Sequence, residues 1–201
     1  AHNRRAIYMD GTARMYGDTS DPKFSHIEGV SDHSVDMLFF WHGEGQLVGI
    51  ALTVYCPAQE VEGQSYLSAD FWYDTRKMLR EKHHAGLWVL PLIGASGDQS
   101  PHLMWNRRAE LAQRNRRGLS PRQEIARRIV DAVDAVLEDA RANIRTHVEF
   151  EHRAELVPLP VWQVSADRYS QARAVFEAGK NKTDQLSSPE YINWRVSRTL
   201  M

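Results

Sequence analysis

The chain has 201 residues, of which 42% are hydrophobic and 25% are charged, and its formal net charge at pH 7 is -1. This length and composition are typical of one soluble globular domain, which we expect to cover residues 1–201. The near-zero charge argues against a general attraction to nucleic acid or to an anionic membrane, and no apolar run approaches the roughly 20 residues that would span a bilayer. A single cysteine, Cys56, excludes an internal disulfide.

A hairpin is predicted after an irregular start. Residues 1–34 are rich in turn formers and show little periodicity apart from a short strand in RAIYM. The segments 35–41 and 46–56 contain the β-branched and aromatic residues of strands, and HGEG between them is suited to a tight turn.

A strand–helix–strand unit follows the hairpin. Residues 69–86 have apolar residues near helical spacing and end in a basic turn before Gly86, which is a common stop signal of a helix. The run LWVLPLI at 87–93 is continuously apolar, which predicts a strand buried on both faces, while Pro91 indicates an edge or a bulge. The fold class that we expect is therefore α/β: a mixed sheet with a β-hairpin and a right-handed βαβ unit, with helices packed on it.

Helices dominate the sequence after this unit. A helical stretch is predicted from about 103 to 117, and a longer helix begins after Ser120, with Pro121 at its first position and Gln123 able to complete a capping box. One apolar stripe predicts that the longer helix faces the core; it consists of Ile125, Ile129, Val133, Val136, Leu137, Ala140 and Ile144.

The last part of the sequence predicts strands and two further helices. Residues 147–164 are expected to form one or two strands, and residues 166–179 a short helix. A final helix starts near Pro189 and shows no stop signal before Met201, so we expect the natural polypeptide to continue.

The stretch GASGDQSPH at 94–102 carries residues suited to chemistry. Asp98, Ser100 and His102 occupy every second position, and each can accept or transfer a proton. A strand-to-helix turn with Asp98 or Ser100 as a cap would account for the same residues. Because Asp98 follows Gly97 inside the tight turn, we expect backbone amides to hold its carboxylate and Ser100 to be the exposed member of the pair.

The crossover rule brings this loop next to a second polar loop. If the strands at 46–56 and 87–93 are parallel, both end at the same edge of the sheet, where ligands of open α/β sheets bind. The predicted helix also starts at that edge. The polar side chains gathered there are Cys56, Glu60, Glu62, Asp70, Asp98, Ser100 and His102.

Five short motifs follow one another between residue 3 and about residue 102: NRRAIY, SDHSVDMLFFW, QLVGIALTVYC, YLSAD and GDQSP. In these motifs and in their order, this part of the chain resembles the middle of the catalytic domain of the neutral/alkaline, non-lysosomal ceramidases. The resemblance implies a zinc-dependent amidase that cleaves the N-acyl bond of ceramide, with Ser100 in the place of the catalytic serine. It also implies Arg4 and Asp70 as substrate-binding residues and Asp98 as the acid of the last motif. A secreted or periplasmic location would agree with the family.

The sequence departs from the family where the zinc site should stand. In the place of a zinc-binding histidine this chain has Cys56, which could bind Zn²⁺ as a thiolate or could be a small buried residue at a strand end. The other zinc ligands of the family would lie before Ala1 or after Met201, so we expect no complete zinc site and no tightly bound zinc in this chain. An asparagine of the family is His102 here, which leaves open whether the substrate is a lipid or another small molecule.

Two functions of different classes follow. The first is a ceramidase-like hydrolase domain, part of a longer catalytic unit, that cleaves an amide or ester by metal-assisted attack. Its catalytic candidates are Asp98, Ser100 as nucleophile or orienter, and His102 or a metal-bound water as base. The alternative is a non-catalytic binding or accessory domain that keeps the fold without the zinc site.

A nucleic-acid partner is a third hypothesis, based on the eight arginines between Arg107 and Arg128. These arginines stand on amphipathic helices with few aromatic residues. A solvated helix face accounts for them better, and we expect no nucleic-acid binding.

Overall fold

A computed structural model describes residues 1–43, 45–161 and 163–201. Parts of two predicted features, the hairpin turn at Glu44 and the segment around Trp162, lie outside the described residues. In chain order the elements are β1 (His2–Asn3), β2 (Arg5–Tyr8), β3 (Ala13–Met15), β4 (Phe24–Ile27), β5 (Val35–His42), β6 (Gln46–Val54), α1 (Phe71–Lys82), β7 (Trp88–Ile93), β8 (Gln99–Ser100), α2 (Arg107–Arg117), α3 (Pro121–Ala142), α4 (Ala166–Gly179) and α5 (Ser188–Thr199).

The chain divides into two compact units, residues 1–148 and residues 149–201. The first unit contains all eight described strands with α1, α2 and α3, and the second contains α4 and α5. That the whole chain folds as one domain stays a prediction. In the described ranges, no helix is both long enough and apolar enough to cross a membrane.

The main sheet of the first unit has the strand order β5-β6-β7. β5 and β6 pair antiparallel as the predicted hairpin, with Val35 opposite Val54. β7 lies parallel to β6, with Val54 opposite Ile93, and α1 connects the two strands. The predicted α/β class, with a mixed sheet and a strand–helix–strand unit, is confirmed.

The core of this unit lies where α1 and α3 pack against one face of the sheet. Successive side chains of a strand point to opposite faces, so alternate residues of β5 face the helices. The side chains at the centre of this core are almost completely buried; they include Ile50, Leu52, Phe71, Leu79 and Val133.

The start of α3 agrees with its sequence. Ser120 accepts the backbone N–H of Gln123 at 3.3 Å, and the Gln123 side chain accepts the backbone N–H of Ser120 at 2.9 Å. This capping box satisfies amide groups that a helix leaves without partners at its first turn. Of the predicted apolar stripe, Ile129, Val133 and Leu137 are buried, whereas Val136 and Ile144 are exposed.

The opposite face of the main sheet is apolar and exposed. Its large side chains are each between 38% and 59% exposed; they are Leu38, Phe40, Trp88, Leu90 and Leu92. Trp88 and Phe40 meet edge to face at 5.9 Å over Gly49, where a Cβ would lie 2.9 Å from the Trp88 ring. The prediction that the strand at 87–93 is buried on both faces is therefore wrong. β7 is an edge strand, as Pro91 indicated, and Val89 is its one buried residue.

Two small sheets complete the first unit. β2 pairs antiparallel with β3 and β4, which confirms the short strand predicted in RAIYM. β1 pairs antiparallel with β8, with His2 opposite Ser100 and Asn3 opposite Gln99. The first residues of the chain are thereby tied to the loop that follows β7.

The second unit is organised by an aromatic contact between α4 and α5. Trp194 stacks on Phe176 with 5.7 Å between ring centroids and donates its ring N–H to the Phe176 carbonyl at 3.2 Å. Gly179 allows this approach, because a Cβ there would lie 2.6 Å from the Trp194 ring.

The prediction of strands at 147–164 is wrong. The described residues of this segment contain no strand and are mostly exposed. Pro158 and Pro160 explain the difference, because in a strand their missing N–H groups would fall on the same side and remove two ladder donors.

Candidate functional site

The loops that follow β6 and β7 meet at the carboxyl edge of the main sheet, as the crossover rule predicts. His102, in the segment after β7, lies between two acidic side chains of the loop after β6. Its Nε2 is 3.1 Å from Oε1 of Glu62, and its Nδ1 is 3.5 Å from Oε2 of Glu60. Tyr16 packs edge on against the imidazole with 5.9 Å between ring centroids. A histidine flanked by two carboxylates can take up and return a proton.

Asp70 connects the first of these loops to the start of α1. Its Oδ1 accepts the backbone N–H of Phe71 at 2.7 Å, and its Oδ2 accepts the backbone N–H of Val61 at 2.9 Å. The residue is 3% exposed, so its carboxylate is turned into the protein. The expected role of Asp70 in substrate binding stays a prediction.

Asp98 and Arg4 belong to a network on the loop after β7. The Asp98 carboxylate accepts the side-chain amides of Asn3 at 2.8 Å and of Gln99 at 3.0 Å. Asp98 is exposed, and its partners among the described residues are side chains, so the prediction that backbone amides hold its carboxylate is wrong. The pairing of β1 with β8 brings Asn3 to this place. Arg4 donates to the Gly97 carbonyl at 2.9 Å, and its contact with a substrate stays a prediction.

Ser100 is completely buried, so the prediction that it is the exposed member of the pair is wrong. The reason is its place in β8, where it pairs with His2 of β1. Its Oγ accepts the backbone N–H of His102 at 3.1 Å. The hydroxyl therefore holds the backbone that carries His102, which suits an orienting role better than that of an accessible nucleophile.

A cavity of about 320 Å³ opens beside these loops. Its apolar lining comes from the end of β6, from α1, from α3 and from the segment after Ser100; it includes Val54, Phe71, Leu103, Ile125 and Ile129. Its polar lining includes Asp32, Glu60, Glu110, Arg114, Arg128, His2 and His33. Since small-molecule sites span roughly 300–1,000 Å³, the cavity fits a small ligand or one part of a larger one.

Glu60 connects the cavity with His102. Its side chain is 15% exposed, and it both lines the cavity and contacts His102. Burial raises the pKa of Glu60, and the nearby Asp70 carboxylate acts in the same direction, while His102 and Arg114 act to lower it. A carboxyl with a raised pKa at a cavity wall is a candidate general acid or base.

Cys56 lines the same cavity as a buried free thiol. Burial raises the pKa of Cys56 to about 11, and the Asp70 and Glu60 carboxylates act in the same direction. Zinc takes cysteine as the thiolate. Across the described ranges no three histidine, cysteine, aspartate or glutamate side chains are grouped so that they could hold a metal ion. Within the described ranges, Cys56 is thus not part of such a group, and the absence of tightly bound zinc from the purified chain stays a prediction.

A buried carboxylate beneath the arginine-rich stretch was not predicted from the sequence. Glu124 lines the cavity with a side chain that is 8% exposed. It accepts from Arg117 at 3.0 Å, from Arg127 at 2.9 Å and from Arg128 at 2.9 Å. Part of this stretch thus closes around one acid and is not only a solvated face. The spacing of Glu124 to Arg127 and Arg128, three and four residues, is the sequence signal that could have found the cluster.

Comparisons with known proteins add no relative. A scan against protein-family models, a search of the curated proteins and a search of the solved structures each found no match. The resemblance to the neutral ceramidases accordingly rests on the motifs of this chain alone.

Proposed function

We propose that this chain is a ceramidase-like hydrolase domain that binds an acylated small molecule or lipid in the carboxyl-edge cavity and cleaves its amide or ester bond. The observation that carries the proposal is the position of His102 between Glu60 and Glu62, with Glu60 in the wall of the cavity. Apolar pockets with a few convergent polar groups and a perturbed carboxyl are the usual setting of small-molecule chemistry.

Glu60 and His102 supply the proton transfers in this proposal. Water adds to the carbonyl carbon of the substrate while the pair accepts a proton from it, which gives a tetrahedral oxyanion. When this intermediate collapses, the C–N or C–O bond breaks and the same proton passes to the leaving nitrogen or oxygen. The products are a carboxylic acid and an amine or an alcohol, so no redox partner is needed.

Two further residues have supporting roles. Arg114 lines the cavity and lies near enough to Glu60 to affect its pKa, so it is the candidate to stabilise the oxyanion. Ser100 orients His102 through the hydrogen bond from the His102 backbone N–H.

Turnover of fluorogenic amides and esters of medium-chain acids tests the proposal. Glu60→Gln and His102→Gln preserve approximate size and remove the proton transfer, so each should lower kcat by about 10²–10⁴-fold. His42→Gln is the matched control, because His42 is exposed at the end of β5 and is not part of the cavity lining. Full turnover in both site variants would contradict the assignment of the residues.

The second candidate function is binding without cleavage. It is favoured by the complete burial of Ser100 and by the Cys56 thiol, whose pKa of about 11 leaves it protonated at neutral pH. A fluorescent acyl amide that binds to the wild-type chain and is recovered uncleaved would select this function over the hydrolase.

A further inference from the structure

Asp70 has a backbone conformation that is unusual for its residue type. Its φ is 53° and its ψ is -145°, in a region that glycine adopts readily and that strains a residue with a side chain. Such a conformation is strained and persists where surrounding contacts enforce it, often at functional sites. Ser68 is one such contact, because its Oγ accepts the Asp70 backbone N–H at 2.9 Å.

Capping of α1 explains the hydrogen bond to only one of the two carboxylate oxygens of Asp70. The bond from Phe71 N–H to Oδ1 is the capping interaction, and serine, threonine or asparagine can supply one as well. The bond from Val61 N–H to Oδ2 reaches back nine residues into the loop after β6. That amide belongs to the peptide between Glu60 and Val61, so the bond fixes the chain between the two acids that flank His102.

We infer that Asp70 is a positioning residue, which holds Glu60 and Glu62 on either side of His102 by binding the peptide that lies between them. The inference rests on the proposed function for its catalytic meaning, but the geometry that it describes can be tested without any turnover. Asp70 does not touch the substrate in this account and acts through Glu60.

The charge of Asp70 gives it a second effect on Glu60. The groups that face Glu60 are the Asp70 carboxylate, the Cys56 thiol, the Arg114 guanidinium and the His102 imidazole, and Glu62 shares the imidazole with it. Of these, Asp70 raises the pKa of Glu60, in the same direction as burial. Loss of the Asp70 charge should therefore lower that pKa, whereas loss of an exposed carboxylate elsewhere should not change it.

Asp70→Asn separates the positioning role from capping, because asparagine keeps an oxygen for Phe71 N–H and replaces the other with an NH₂ group that cannot accept from Val61. Hydrogen exchange and carboxyl ¹³C titration by NMR are the measurements. The Val61 amide should exchange about tenfold faster, the Phe71 amide should stay protected, and the Glu60 titration should move to lower pH. Asp10→Asn, in the exposed turn between β2 and β3, removes the same charge and should change none of these.

The unmodified chain provides an independent measurement if the variant does not fold. In the unmodified chain the Val61 amide, although it lies in a loop, should exchange slowly, because it donates to the same carboxylate as the Phe71 amide. A Val61 amide that exchanges as fast as an exposed loop amide, or an Asp70→Asn variant with unchanged Val61 exchange and an unchanged Glu60 titration, would overturn the inference. Failure of the proposed function would appear differently, as a wild-type chain with the expected NMR behaviour and no turnover. Where turnover is present, the acid limb of the kcat profile should shift to lower pH in Asp70→Asn together with the Glu60 titration.

Discussion

Two carboxylates line the same cavity, and their surroundings act on them in opposite directions. Glu124 is surrounded by arginines, and hydrogen bonds from Arg127 and then from Arg128 hold the pKa of Glu124 at about 2, although burial opposes them. Burial raises the pKa of Glu60, and the opposing effects of His102 and Arg114 offset this rise only in part. The charge of Glu124 is fully compensated by the arginines, and this carboxylate stabilises the fold. The charge of Glu60 is not fully compensated, so the fold disfavours its ionisation. A carboxyl of this kind is suited to proton transfer near neutral pH.

The largest stability effect is expected for Glu124→Gln, which leaves three arginines without their shared carboxylate. A pKa lowered from 4.5 to about 2 corresponds to a stabilisation on the order of 3 kcal/mol at neutral pH. Urea unfolding at pH 7 measures it. Glu138→Gln on the same helix is the control, because that side chain is 84% exposed and should matter by less than about 0.5 kcal/mol.

The arginines around Glu124 also predict how the unfolding free energy changes with pH. Since the folded pKa of Glu124 lies below its ordinary value, the unfolded chain binds this proton more tightly. The contribution of Glu124 to stability is therefore complete above about pH 4.5 and is lost as the pH falls towards about 2. The difference in unfolding free energy between wild type and Glu124→Gln should shrink across this window. A difference that persists at pH 2 would show that the glutamine acts through packing and not through charge.

Ser100→Ala should have an intermediate effect. The change removes the acceptor of the part-buried His102 backbone N–H, which should cost about 1 kcal/mol in unfolding free energy. Turnover should fall as well, because the backbone that carries His102 loses its hydrogen bond to Ser100. Complete loss of turnover with an unchanged unfolding free energy would contradict the orienting role and restore Ser100 as the nucleophile.

Glu60→Gln should have the smallest effect on stability, and one of opposite sign to Glu124→Gln. A raised folded pKa means that the stabilising contribution is present at low pH and is lost as the pH rises through the folded pKa. Ionisation of Glu60 therefore weakens the fold, and the neutral glutamine should leave the unfolding free energy at pH 7 unchanged or raise it slightly. A destabilisation as large as that of Glu124→Gln would remove the distinction between the two carboxylates.

The fold was predictable where local signals and a topological rule agree. The hairpin, α1, β7 and the start of α3 each have strong signals of pattern or capping within a few residues. The parallel pairing of β6 and β7 then brings the two polar loops together, as observed for Glu60 and His102. The burial of β7 was not predictable in this way, because continuous apolarity does not show which face another element covers.

The roles within the loop after β7 were reversed because they depend on a distant pairing. β1 pairs with β8, nearly a hundred residues away in sequence, and this contact buries Ser100 and gives Asp98 its Asn3 partner. No local pattern of the glycine-rich loop predicts it. The Glu124 cluster was missed for a different reason, since the helical spacing was visible but the burial of one acid beneath several arginines depends on tertiary packing.

We propose that the cavity at the carboxyl edge of the main sheet binds the substrate of this chain. Titration of the ¹⁵N-labelled chain with a non-hydrolysable medium-chain acyl amide, followed by amide chemical shifts, is the decisive measurement. The largest shift changes should fall on the cavity lining, at Val54, Glu60, Leu103, Ile125 and Ile129. Changes concentrated on the exposed face of the sheet, at Trp88 and Leu90, or no saturable change at all, would contradict it.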